Sequence, residues 1–172
     1  AVYPHCLEVM TYMMERHPKA GILLCATSEL DLFYPIELSS KEAYQRSFIH
    51  GKVMSNSPLT SMYKREAFEK VGSFRGDKYP LCSDWDMVLK IARNFSVLIV
   101  PTGLCFYRVH QGQVISSTSD RYLRHFTDVI IISFEALCHP DCPLPENEKR
   151  YAIAKILRGA VKIPRTEIPY TN

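Results

Sequence analysis

A chain of 172 residues with 47% hydrophobic and 23% charged side chains has enough apolar material for one domain with a core. Its 21 basic and 18 acidic residues leave a net charge of +3, and no block of five like charges occurs, which excludes the footprint of a nucleic-acid binder. The longest apolar run, Val129-Ile130-Ile131-Ile132, stops at Ser133, far short of the ~20 residues of a spanning helix.

The chain opens at Ala1 without an initiator Met or a basic-then-apolar signal segment, and passes directly into a helical pattern. This reads as a piece of a longer protein. Pro4 suits a first helical turn. Leu7, Met10 and Met14 recur at near-helical spacing until His17-Pro18 stops the pattern. After Gly21, the run Ile22-Leu23-Leu24-Cys25-Ala26 has the length and composition of a fully buried strand. A loop carrying Pro35 leads to Ser39-Ser40-Lys41-Glu42, a capping sequence for a helix running to about His50. Ser57 to Tyr63 is expected as a strand feeding a short helix, Arg65 to Lys70, which Gly72 ends.

Ser83 is the expected N-cap of the next helix, with Asp86 three residues on in the capping-box position. Trp85, Val88, Leu89 and Ala92 make one apolar stripe along it. Two β-rich runs follow, 97–100 and 104–107, divided by the turn signal Pro101-Thr102-Gly103. Beyond Gly112 the pattern is helical. Residues 120–137 place Tyr122, Phe126, Val129, Ile130 and Leu137 on a broad face, and residues 146–158 repeat the pattern with Ile153, Ile156, Leu157 and Ala160. The segment from Pro164 onward is proline-rich and linker-like. The expected architecture is α/β, a mixed sheet up to about residue 118, a helical extension over 119–160 and a tail over 161–172.

Six cysteines are scattered through a chain that is not a small secreted domain, which points to thiols in a reducing compartment. Cys138-His139-Pro140-Asp141-Cys142 has a zinc-like look. A structural site needs four ligands, however, and no second pair stands nearby, so two buried thiols in an interhelix turn are expected instead.

Three pieces carry the chemical content: Lys64-Arg65-Glu66-Ala67-Phe68-Glu69-Lys70-Val71-Gly72-Ser73-Phe74, then Ser83-Asp84-Trp85-Asp86, then Tyr107-Arg108-Val109-His110. Asp84 falls in the first turn of a helix, where orphan amides and the positive end of the dipole favour a carboxylate and keep it ionised. Taken alone, an Asp there most often supports the helix end. In order and spacing, the three pieces resemble the second half of an inverting family-2 glycosyltransferase of the GT-A fold, a Rossmann-like nucleotide-diphospho-sugar transferase. The resemblance spans residues 1 to roughly 118.

The resemblance implies a role for each match. Asp84 takes the place of the catalytic base, with Ser83 where the family usually has Glu. Trp85 belongs to the acceptor pocket, unless it is only the core anchor of its helix, and Asp86 is a cap partner. Ser57 falls in the small-residue loop that lines the donor sugar, Lys64 and Arg65 are placed to approach a phosphate unless they are only a solvated helix start, and Val71-Gly72-Ser73-Phe74 matches a Val-Gly-Gly-Phe turn. Arg108 and His110 sit in a Tyr-Arg-x-His ending, where His110 helps hold the divalent metal or the diphosphate. The implied cofactor is Mg²⁺ or Mn²⁺, bound mainly through an Asp-x-Asp element that does not precede Glu8 here, and Asp31 lies in the wrong place to replace it.

The implied partners are a nucleotide-diphosphate sugar donor and a glycan or lipid-linked hydroxyl acceptor, in the cytoplasm or at the inner membrane face. The weakly basic surface suits a phosphate-bearing substrate or peripheral contact with anionic lipid. A sheet cut through its middle would expose an edge and favour self-association. The alternative reading is a non-catalytic half-domain that binds a glycan or a protein partner.

Overall fold

A computed structural model describes residues 3–26, 32–51, 54, 60–101, 104 and 119–161. These form an α/β arrangement of a four-stranded mixed, open sheet and six α-helices. In chain order the elements are α1 (Cys6–Arg16), β1 (Ala20–Cys25), β2 (Ile36–Leu38), α2 (Ser40–Tyr44), β3 (Ser61–Tyr63), α3 (Arg65–Val71), α4 (Ser83–Asn94), β4 (Ser96–Val100), α5 (Ser119–Cys138) and α6 (Glu146–Val161). The sheet order is β2-β4-β1-β3. β1 and β4 are parallel, with Leu23 opposite Leu98, while β2 and β3 run antiparallel on either side.

Every residue of β1 is buried, as are Val97 to Val100 of β4. That fits the unbroken apolar runs of strands covered on both faces. One face meets α1 through Cys6, Met10 and Met14, which pack with Leu23, Cys25, Leu98 and Val100. Leu7, expected on that inner face, points outward and is 64% exposed. The i, i+4, i+8 row that starts at Cys6 is the one that meets the sheet. The other face meets α2, α3 and α4. Ile132, Ala136 and Leu137 of α5 and Ala152 of α6 belong to that same core, so the helices expected as an extension share it. In α6, Ala152 is the buried residue, and Leu157 is half exposed.

The capping sequence at Ser39 forms a full capping box. Glu42 N–H donates to Ser39 Oγ, and the Glu42 carboxylate accepts from Ser39 N–H at 2.8 Å. α2 continues as a π-helical turn over Gln45–Ile49, so the helical segment reaches its expected end near His50. Gly72 ends α3 with φ +84°, a conformation that favours glycine. β2 occupies part of what the sequence suggested was loop. Residues 57–59 and 105–107, parts of two expected strands, and the tail after 161 lie outside the described residues. In the 138–142 turn Cys138 is exposed and Cys142 half-buried, in contrast to the two buried thiols expected.

α4 turns into β4 at Phe95, and its last turn, Ile91 and Phe95, crowds Gly21 at the start of β1. The helix therefore runs antiparallel to the two parallel strands. Its N-terminus, with Asp84, lies toward their carboxyl ends, the side of an open α/β sheet on which ligands are bound. Among the described residues no helix is long and apolar enough to cross a membrane.

Candidate active site

The first turn of α4 departs from the expected capping box. Cys82 occupies the N-cap position with no side-chain cap, and Ser83 is the first helical residue. Asp84 Oδ1 accepts a hydrogen bond from the Trp85 N–H at 2.8 Å, which orients the carboxylate at the helix entrance. Asp86 is not a cap partner. It is buried and receives Arg75 through two charge-assisted hydrogen bonds, one of them from Arg75 Nε to Oδ2 at 2.9 Å, and Lys90 Nζ lies 2.9 Å from Oδ2. Such a pairing offsets the cost of taking the charge out of water.

Arg75 also reaches Glu135 of α5 at 3.0 Å. Lys78 Nζ and Tyr79 Oη donate to the other Glu135 oxygen at 2.6 and 2.8 Å. Burial works to raise the Glu135 pKa, but these donors outweigh it and bring it down to about 2. The 75–79 turn, α4 and α5 are thus clasped together.

Burial raises the proton affinity of the Asp84 carboxyl, against the lowering pull of the amides of Trp85 and Asp84 itself and of the His125 charge. The helix-end amides pull in the direction expected, but burial is the larger influence. Desolvation of a half-buried carboxylate outweighs the dipole. Two residues before Asp84, Cys82 meets His125 of α5. Cys82 Sγ lies 3.0 Å from His125 Nδ1, and burial together with the Asp128 and Asp84 charges pushes the thiol up to about 12. Asp128 is 8% exposed, and its Oδ2 has no hydrogen-bond partner among the described residues. Tyr63, at the end of β3, also feels the Asp84 charge.

The other expected site residues are distributed differently. Trp85 is 7% exposed, 6.4 Å from the Phe48 ring, and its indole N–H donates to Ser133 Oγ at 3.4 Å. It anchors α4 in the core and leaves little surface for an acceptor pocket. Lys64 Nζ donates to the carbonyls of Pro18 at 2.6 Å and His17 at 3.4 Å, closing off the C-terminal end of α1. Lys64 also borders a groove of about 240 Å³ with Met14, Pro18, Met62 and Tyr63, and Asp84 does not line that groove. Ser57, Arg108 and His110 lie outside the described residues. No group of three or more His, Cys, Asp or Glu side chains among the described residues is gathered to hold a metal.

His125 and Asp128 escaped the sequence reading. They come from a helix expected as an appendage, and the three-residue spacing that puts them on one face of it is ordinary in any helix. No protein-family model matches the chain, and no match was found among curated proteins or solved structures.

Proposed function

We propose that this chain is the acceptor-side half of an inverting glycosyltransferase of family 2, with a partial GT-A fold, and that Asp84 is its general base. The observation that carries the reading is the Asp84 carboxylate itself. It stands in the first turn of a helix, on the carboxyl-end side of a parallel strand pair, oriented by an amide and made more basic by burial. A carboxylate with raised proton affinity is the better proton acceptor.

In the reaction, Asp84 takes the proton of an acceptor hydroxyl, on a glycan or a lipid-linked sugar. That oxygen attacks the anomeric carbon of the donor, the bond to the diphosphate breaks, and configuration inverts as the nucleoside diphosphate leaves. Mg²⁺ or Mn²⁺ would neutralise that leaving group from an Asp-x-Asp element of a nucleotide-binding half. The described residues do not form such a site. Trp85 and the Asp86 clasp hold α4 so that Asp84 keeps its place.

The test is Asp84→Asn in the enzyme that joins this chain to its nucleotide half, assayed for transfer from nucleotide-diphosphate sugars. Loss of a general base lowers the rate about 10²–10⁴-fold. Transfer within about threefold of the parent would remove Asp84 from that role, and binding of glycan without any transfer by the joined protein would favour the binding-module reading.

A further inference from the structure

The turn that prolongs α2 holds an arginine whose charge no described residue answers. We infer that the π-helical turn Gln45–Ile49 carries an oxyanion subsite centred on Arg46, suited to a phosphate or carboxylate group of a ligand. The subsite stands apart from the role of Asp84 and holds whether or not that residue is a base.

Arg46 Nε is buried without a hydrogen-bond partner, and so is the hydroxyl of Ser47 beside it in the chain. Among the described residues no carboxylate pairs with the Arg46 guanidinium. A carboxylate does reach this turn, but it goes elsewhere. Glu148 of α6 accepts from Gln45 Nε2 through both oxygens, at 3.0 and 2.9 Å. The other cation at the turn, Lys155 of α6, donates to the carbonyls of Phe48 and Ile49 at 3.5 and 2.9 Å. Burial lowers the Arg46 pKa from its ordinary value, yet a guanidinium keeps its proton in a protein. A charge held partly out of water without a counter-charge is costly until something binds it. Arg46 as a whole is only partly enclosed, and its two terminal nitrogens are not among the buried unpaired atoms, so the end of the fork is open to an anion. That fork matches the paired oxygens of phosphate and carboxylate.

Three contacts fix where the turn lies. Ser40 Oγ donates to the Phe95 carbonyl at 3.2 Å, Tyr44 Oη donates to the Leu89 carbonyl at 3.1 Å, and the Phe48 ring centroid is 6.4 Å from that of Trp85. α2 and its π-helical turn therefore run antiparallel to α4, from its C-terminal end toward its first turn. Arg46, between Tyr44 and Phe48, falls in the part of this course that approaches the ligand-binding end of the sheet. The backbone there is widened. His50 N–H donates to the Gln45 carbonyl at 3.0 Å, five residues back, a form that recurs at functional sites.

Arginine ¹⁵Nε–Hε NMR of the full 172-residue chain tests the subsite, with inorganic phosphate and, separately, acetate added at constant ionic strength. The Arg46 signal, assigned by its loss in Arg46→Lys, should shift and saturate. Saturation by phosphate alone marks a phosphoryl ligand, by acetate alone a carboxylate ligand, and by both a subsite open to either; each supports the inference. Arg46→Met should weaken binding, followed through the backbone amides, by about tenfold or more, the loss of one charge-assisted hydrogen bond. Arg46→Lys, which keeps the charge without the fork, should fall between the two. Because Arg46→Met removes an unanswered charge, its Tm without anion should equal or exceed that of the wild type. A drift without saturation, or anion binding unchanged in Arg46→Met, overturns the inference. So does an Arg46→Met chain that is unfolded or has a Tm lower by more than about 4 °C, since the fold itself would then use the guanidinium.

Discussion

Asp86→Ala is the sharpest test of how the site is held. The carboxylate is 3% exposed and accepts both nitrogens of the Arg75 fork while pairing with Lys90. Removing it leaves two cations facing a small cavity. Breaking one side of a buried ion pair costs about 3–5 kcal/mol. Arg75 is one-third exposed and keeps Glu135, whereas the Lys90 side chain is only 18% exposed, which places the expected loss near the lower end, about 3 kcal/mol. For a chain of this length that corresponds to a Tm lower by about 6–12 °C. Urea unfolding read by Trp85 fluorescence gives the free energy, and an unchanged slope confirms that the same folded state is compared. Removing Arg75 as well should cost less than the two single losses combined, because the second cut relieves an unpaired charge. A loss below about 1 kcal/mol, the range of an exposed ion pair, would refute the claim that this clasp is a desolvated one.

Three further outcomes are expected. Folded Asp84 binds its proton more tightly than the ordinary carboxyl at 3.8, so its contribution to stability is present below that value and lost as pH rises through the raised pKa; Asp84→Asn should therefore be more stable than wild type at pH 7 and lose that advantage in acid, and an unfolding midpoint lower than wild type at pH 7 would contradict this. Glu135 has the opposite sign. Its pKa falls from 4.5 to about 2, so its contribution is present above 4.5 and lost as pH drops through about 2. Glu135→Gln should flatten that acid limb by no more than about 1 kcal/mol, given a side chain 39% exposed, and superimposable acid-unfolding curves would refute it. Gly21→Ala would set its Cβ 2.6 Å from Phe95 Cβ and 2.9 Å from Ile91 Cγ2, contacts that a strand and a helix end cannot both relieve. Overpacking of about 1–3 kcal/mol is expected in thermal unfolding, and an unchanged Tm would show that α4 can slide.

The sequence was most legible where one local rule decided the outcome. Buried rows on α4, the unbroken apolar run of β1 and the Ser39–Glu42 cap each follow from residues within one or two turns of one another. Leu7 and Leu157 show the limit of that reading. Both fit an apolar row, but the partner surface selected the adjacent row beginning at Cys6 and the small Ala152, and left the leucines outside. Asp86 departs from its expected role for a related reason. A capping box is a local pattern, whereas Arg75 reaches Asp86 only through the shape of the 75–79 turn. Asp84 could be placed on a helix entrance from sequence, yet its ionisation depends on burial in the folded chain, which the local pattern does not show. Nothing near Cys82 in the chain announces His125, because the two meet only through the packing of α4 on α5.

The pairing of β1 with β4 also bears on how the chain reaches this state. Ala20 finds Ser96 far along the chain, and β2, α2, β3, α3 and α4 all lie in the loop between them. Because closing a loop costs only about 0.6 kcal/mol more for each doubling of its length, the pairing is affordable at equilibrium. In time it is demanding, since non-local strand pairing slows folding. α4, whose last residue before β4 already contacts Gly21, is the piece able to bring the two strands into register. The helix that presents Asp84 would then also be the guide on which the centre of the sheet is assembled.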